Sequence, residues 1–135
     1  MNREEALAYL KQNHNGVLAT LKKDGRPQLS NILYLYDADG KIKISTTSDR
    51  FKARNIQRDS RVSMEVIGEN FYQYLVVEGQ ATLSPEGELD ELRRIYKAIS
   101  GKEHPNWQEY DQAMLNEHRV VISIEIEKMY PLEQG

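Results

Sequence analysis

The order of apolar and polar positions predicts six strands and four helices. Asn2 followed by Glu5 has the form of a capping box, and Ala6, Leu7 and Leu10 recur at helical spacing, so a short helix opens the chain and Gly16 is expected to break it. Strands are expected over 16–22 and 27–36, joined by an Asp24-Gly25 turn that tolerates positive φ. Residues 41–46 alternate with period two after a turn at 37–40. Thr47, Ser48 or Asp49 then caps a helix running to Arg58. Strands follow over 62–67 and over 71–82, the second interrupted at Gly79. Ser84 is expected to cap a helix with Leu89, Leu92, Ile95, Tyr96 and Ile99 on one face, closed by Gly101. A short helix over 107–117 precedes a last strand over 120–129, in which Ile122, Ile124 and Ile126 alternate with Ser123, Glu125 and Glu127.

Hairpin spacing with helices interspersed predicts an α+β fold, an antiparallel β-barrel of six strands with peripheral helices. At 135 residues, without repeats or low-complexity linkers, the chain is expected to form a single domain over 1–135. Composition adds one point. Only 39% of residues are hydrophobic, and eight tyrosines stand against two phenylalanines and one tryptophan. Tyrosine suits half-buried surfaces, so part of the apolar surface is expected to be covered by a second copy of the chain.

The formal net charge of −3 does not favour nucleic acid or anionic membrane. Its distribution is uneven: Arg50, Lys52, Arg54, Arg58 and Arg61 stand against the single acid Asp59 in their stretch, which suggests a small anionic ligand. With no cysteine there is no disulfide and no thiolate metal site or nucleophile. An acidic start and the absence of a long apolar run make a soluble cytoplasmic protein the expectation.

Candidate chemistry concentrates at 45–55, STTSDRFKARN. Ser45, Thr46 and Thr47 leave a strand and run into a helix start carrying Arg50 and Lys52. Unpaired N–H groups and the helix dipole suit phosphate there, Arg50 adds a bidentate fork and Lys52 a point charge. Asp49 is better placed as an N-cap than as a ligand to an anion. The alternative for the same residues is a solvated basic helix face, with Arg50, Arg54 and Arg58 four apart. Gln28, Ser30 and Asn31 are polar positions on the second strand; Gln28 and Ser30 either face water or meet the edge of a heterocycle inside a barrel. Tyr72 and Tyr74 are two apart and share a strand face, where they either pack or wall a ring system. Trp107 and Tyr110 pack a helix on the barrel or line a site in a dimer. His14, His104 and His118 have no metal-ligand spacing, and no metal site is expected. P-loop, G-x-G-x-x-G and G-x-S-x-G motifs are absent.

The run GVLATLKKDGRPQLSN over 16–31, the Thr-rich turn leading to RFKARN over 50–55, and RDSRV over 58–62 together resemble the pyridoxamine 5′-phosphate oxidase-like split β-barrel superfamily. Within it the chain is most similar to the flavin/deazaflavin oxidoreductase group B, many of whose members use coenzyme F420. VEGQATL over 77–83 and the helix over 107–114 fit as well, so the resemblance covers nearly the whole chain. It implies an FMN-binding split-barrel fold and a homodimer with sites at the subunit interface. It also implies that Ser45, Thr46, Thr47, Arg50 and Lys52 hold the cofactor phosphate, with Asn55 supporting the loop. Gln28, Ser30 and Asn31 would lie near the ring or ribityl chain, and Tyr72 and Tyr74 on the opposite wall. Tyr72 stands where some relatives carry tryptophan, and Phe51 where a small residue is common. The arginine- and tryptophan-containing tail of true pyridoxamine phosphate oxidases is missing, which argues against their substrate.

The function implied is an oxidoreductase in which reduced coenzyme F420 passes a hydride to a small conjugated or aromatic acceptor. An FMN-dependent reductase of the same fold is the nearest alternative. A non-catalytic carrier of flavin, deazaflavin or haem is another, His118 being the histidine to test as a haem ligand. Nucleic-acid binding through the basic helix rests only on charge.

Overall fold

The computed structural model describes residues 1–133. In chain order the elements are α1 (Arg3–Gln12), β1 (Asn15–Leu21), β2 (Pro27–Leu33), β3 (Leu35–Tyr36), β4 (Ile42–Thr47), α2 (Phe51–Arg58), β5 (Arg61–Ile67), β6 (Leu75–Leu83), α3 (Leu89–Ser100), α4 (Trp107–Asn116) and β7 (Arg119–Tyr130). The strands form one antiparallel sheet in the order β2-β1-β5-β6-β7-β4-β3. It curls so that β2, at one edge, comes back to β4 near the other. The result is a split barrel with four helices outside the sheet.

The strand count is seven rather than six, because the apolar run over 27–36 breaks at Tyr34. This ring is fully buried, and its hydroxyl donates to the Leu10 carbonyl at 2.7 Å. Its backbone N–H donates to the His14 carbonyl at 2.8 Å, so the residue is pinned to the α1–β1 turn and leaves the ladder. A tyrosine inside an apolar run gives no local sign of that. The first hairpin turns at Gly25 with φ +88°, and the Asn2–Glu5 capping box forms, both as expected. Gly16 does not end α1, which stops at Gln12; it lies inside β1, where a Cβ would stand 2.9 Å from the Glu65 carbonyl oxygen.

Other element starts also move. Residues 71–74 lie outside β6, because the Asn70 side chain accepts from the Tyr72 N–H at 3.0 Å and the Asn70 carbonyl from the Gln73 N–H at 3.1 Å. This local turn overrides the strand preference of the aromatic residues. Ser84 is not a helix cap: its hydroxyl accepts from the Val121 N–H at 2.8 Å, and α3 begins after Glu88.

Two apolar clusters position the site. The larger fills the barrel with Leu18, Tyr34, Ile44, Met64, Val77 and Ile122 among others, closed by Ala6 and Leu10 of α1. The smaller lies on the outer side of β4 and β7, where Val121 and Leu35 meet Leu92, Ile95 and Tyr110 of α3 and α4. The β4–β7 region is therefore covered on both faces. The outer face of β2 is not, leaving Leu29 65% and Leu33 57% exposed.

An ion network ties α3 to the β3–β4 turn. Asp37 accepts from Lys43 at 3.1 Å and from Arg94 at 2.6 Å, while Lys43 also reaches Asp39 at 3.0 Å. The Arg94 guanidinium, with further help from the Ala38 N–H and Lys43, holds the Asp37 carboxyl well below the ordinary carboxylate range although burial opposes it. A carboxyl whose pKa falls on folding adds stability above its unfolded value and loses it as pH falls. Thermal melts are therefore expected to be flat from neutral pH down to about pH 5 for this contribution and to fall below about pH 4. Asp37→Asn should lower the neutral-pH melting temperature and shrink that acid dependence. An unchanged pH profile in the variant would show that Asp37 is not the group responsible.

Candidate functional site

The seam between β2 and β4 opens into a cleft of about 560 Å³, within the usual size range of small-ligand sites. One end is polar and cationic, lined by Ser45, Thr46 and Thr47 of β4, Arg50 and Lys52 at the start of α2, and Arg119 of β7. The other is apolar, built by Leu92, Ile95, Tyr96 and Ile99 of α3 with Tyr110 and Met114 of α4. Asn31, Ile32 and Leu33 of β2 form the third side. Three cations and no carboxylate line this cleft among the described residues.

The local chemistry of the cationic end follows from how β4 passes into α2. Thr47 is buried, and its Oγ1 accepts from the Arg50 Nε at 3.3 Å. The Ser48 N–H donates to the His118 carbonyl at 3.0 Å and the Ser48 hydroxyl to Glu86 at 3.0 Å, so the loop is fastened to the α4–β7 turn and the approach to α3. Asp49 does not cap α2, contrary to expectation. The N-cap is Arg50, with no side-chain hydrogen bond to the helix. A hydrogen bond from Thr47 keeps the Asp49 carboxyl below its usual range. The uncapped first turn leaves backbone N–H donors without a side-chain acceptor, a favourable setting for an anion.

Lys52 is half-buried. Burial first, then repulsion from Arg50 and Arg119, pushes its ammonium below the ordinary lysine value. An anion placed among these groups would relieve that repulsion. Asn55, on the next turn of α2, is buried outside the cleft lining. Its amide donates to Thr20 Oγ1 at 3.0 Å and accepts from Arg58 at 3.0 Å, and Arg58 also donates to the Leu21 carbonyl at 2.6 Å. These bonds hold α2 against β1 and so fix where Arg50 and Lys52 stand.

Of the polar β2 residues, Asn31 lines the cleft. Gln28 and Ser30 do not; they pair with Thr20 and Leu18 on the core side of the sheet, and neither simply faces water. The Ser30 hydroxyl is buried without a partner among the described residues. Tyr72 and Tyr74 stand in the loop before β6, 89% and 45% exposed, outside the lining of the cleft. They do not share a strand face, because this segment is not strand. Trp107 packs edge-on against Tyr96 and Tyr110, and of the two α4 aromatics only Tyr110 reaches the cleft. His118 lies outside the lining, exposed, with Nδ1 3.0 Å from Glu86. The α3 wall and Arg119 were not singled out from sequence: the former reads as an ordinary amphipathic stripe, the latter as a charge before a strand.

Comparison with known proteins agrees with this architecture. The family model described as pyridoxamine 5′-phosphate oxidase matches residues 3–133. An F420H(2)-dependent biliverdin reductase from Mycobacterium tuberculosis (strain CDC 1551 / Oshkosh) is 29% identical over 128 residues, 93% of this chain and 85% of that protein. Among solved structures, one described as an F420 reductase superposes with a TM-score of 0.72 at 28% identity, covering 91% of this chain and 94% of the other. A conserved hypothetical protein from Mycobacterium tuberculosis gives a TM-score of 0.75 at 26% identity over 96% of this chain and 82% of its own.

Proposed function

Given that the chain belongs to the pyridoxamine 5′-phosphate oxidase family, we propose that it is an oxidoreductase that uses reduced coenzyme F420 to deliver a hydride to a small conjugated or aromatic acceptor. The observation that carries this is the cleft itself, with Arg50, Lys52 and Arg119 at one end, no carboxylate in its lining among the described residues, and an apolar, partly aromatic wall at the other. That donor set fits a phosphate-bearing planar cofactor. The relatives named for F420 chemistry favour the deazaflavin over FMN.

When bound, the reduced cofactor supplies the hydride. The chain's own residues bind, orient and exclude water. Arg50 and Lys52, with the first turn of α2, hold the phosphate, and Ser45, Thr46 and Thr47 complete its cradle. Asn55 keeps α2 in register through Thr20. Asn31 offers an amide to a ring edge or ribityl hydroxyl, with Gln28 and Ser30 behind it. Ile95, Tyr96 and Met114 provide a low-polarity wall for an uncharged acceptor. Tyr110 donates its hydroxyl to the Leu92 carbonyl at 2.9 Å, and burial raises its pKa, so it acts as wall and not as base.

A second copy completes the site. Leu33 and Asn31 both belong to the outer face of β2 and line the cleft, so a partner seated on that exposed apolar face adjoins the cofactor. Tyr72 and Tyr74, with Phe71 beside them, are exposed aromatic residues available to form the opposite wall from such a partner.

Fluorescence titration with coenzyme F420 and FMN, followed by turnover of quinones, nitroaromatics and enones with the reduced cofactor, tests the proposal. Light scattering on the same sample is expected to give the mass of two chains. Tighter binding of FMN would replace the deazaflavin, and tight F420 binding without turnover of any acceptor would point to a carrier.

A further inference from the structure

Three side chains carry an O–H group at the apolar end of the cleft: Tyr96 and Ser100 of α3, and Tyr110 of α4. Two of them are committed to the backbone. Tyr110 donates to the Leu92 carbonyl at 2.9 Å, and the Ser100 hydroxyl donates to the Lys102 carbonyl at 3.0 Å. Tyr96 is half-buried; its hydroxyl makes no hydrogen bond among the described residues, and its oxygen is not sealed from its surroundings. The ring that carries it is held. Trp107 stands edge-on to it at a centroid distance of 5.8 Å, with Tyr110 at 5.3 Å and His104 at 5.2 Å. Such packing restrains a ring without using its polar tip. Around it Ile95, Ile99 and Met114 offer nothing polar. One unpaired donor on a restrained platform in an apolar wall suits a ligand that is apolar except for one oxygen.

We propose that Tyr96 donates its hydroxyl proton to the carbonyl oxygen of the acceptor, so that the acceptor is a conjugated carbonyl compound, an enone or a quinone. This rests on the cofactor reading above and narrows its substrate class. An enone that takes a hydride at the carbon β to its carbonyl loses the C=C π bond, and that electron pair moves to the carbonyl oxygen. The Tyr96 O–H bond breaks as its proton joins this oxygen, giving an enol that reverts to the ketone. The tyrosinate then takes a proton back from water. Tyrosine is among the side chains that serve as general acids. Arg50, Lys52 and Arg119 stand at the other end of the cleft, engaged with the phosphate in that reading.

The first test needs no cofactor. Trp107, the single tryptophan of the chain, packs on Tyr96, so its fluorescence reports a ligand seated there. Titration of the full chain with menadione, a quinone, is expected to quench it. Methylnaphthalene, the same ring system without carbonyls, is measured by its displacement of menadione. Tyr96→Phe keeps the ring and removes the oxygen. It is expected to weaken menadione about five- to tenfold and to leave methylnaphthalene within about twofold. In turnover with reduced coenzyme F420, the same variant should reduce cyclohexenone about a hundredfold more slowly while its affinity for F420 matches wild type. Equal loss for both ring compounds would make Tyr96 a packing residue and overturn the inference. So would unchanged enone turnover, or wild-type protein that prefers menadione no more than the hydrocarbon. Wild-type protein that binds no F420 would remove the cofactor reading; loss of the menadione preference in Tyr96→Phe would still support the carbonyl contact.

Discussion

Lys52→Ala and Arg50→Ala are each expected to weaken binding of coenzyme F420 or FMN by about 1–3 kcal/mol, roughly a 5- to 150-fold rise in Kd. The size follows from charge-assisted hydrogen bonds made in a half-buried cleft, where competition from water is reduced. The two residues differ in what else they do. Arg50 holds Thr47 Oγ1 and so shapes the loop as well as the charge. Arg50→Lys should therefore restore only part of the affinity, because an ammonium cannot reproduce the fork.

Lys52 is repelled by Arg50 and Arg119 in the ligand-free protein. Its removal should leave the apo melting temperature unchanged or slightly raised while the ligand-induced rise in melting temperature shrinks. Those opposite signs separate a ligand-binding lysine from a structural one, whose loss lowers stability with and without ligand. Raising ionic strength should weaken wild-type binding more than that of either alanine variant, since fewer charges remain to be screened. Near-wild-type affinity in both variants would put the phosphate elsewhere.

Gly79→Ala is expected to have the largest effect on stability, about 3 kcal/mol of destabilisation or more. At this point the β6–β7 ladder shifts register: Glu78 pairs with Lys128 and Gly79 with Ile126, so Glu127 is an extra residue on β7. The bulge brings the two backbones together until a Cβ on Gly79 would lie 2.1 Å from the Glu125 carbonyl oxygen. That neighbour is backbone inside a ladder and cannot swing aside as a flexible side chain would. Relief requires separating β6 from β7, the pair at the centre of the sheet. Gly25→Ala is a useful contrast: nothing lies within 4 Å of its Cβ position, and its cost comes from φ +88° alone. Urea denaturation of both variants measures the difference. A Gly79→Ala protein as stable as the Gly25→Ala protein would show that the ladder yields at the bulge.

Much of the chain's local order could be read without the structure. The Asn2–Glu5 capping box, the Asp24-Gly25 turn, the stripe of α3 and the alternation of β7 depend on neighbours a few residues away, and all are present. The split-barrel resemblance, carried by the runs over 16–31 and 50–62, likewise predicted the architecture. Two of the failures share a cause, a long-range contact, and a third is a local turn on Asn70. Tyr34 leaves its strand because distant Leu10 and His14 hold it, and Ser84 serves Val121 instead of a helix. Residues 71–74 turn where their composition favours extension.

At the site, sequence by itself determined that hydroxyl residues lead into a helix start bearing Arg50 and Lys52, because strand end, turn and helix start are consecutive in the chain. Tertiary structure alone decided that Arg119, 67 residues beyond Lys52 in the numbering, joins them, and that α3 and α4 wall the cleft. It also decided that Tyr72 and Tyr74 stand clear of the cleft. The physical reason is that β4 and β7 are neighbours only through ladder pairing, which sets Arg119 beside Thr47. Local pattern fixes which face a side chain takes on its own element; which charges meet across a seam is set by the register between elements far apart in the chain.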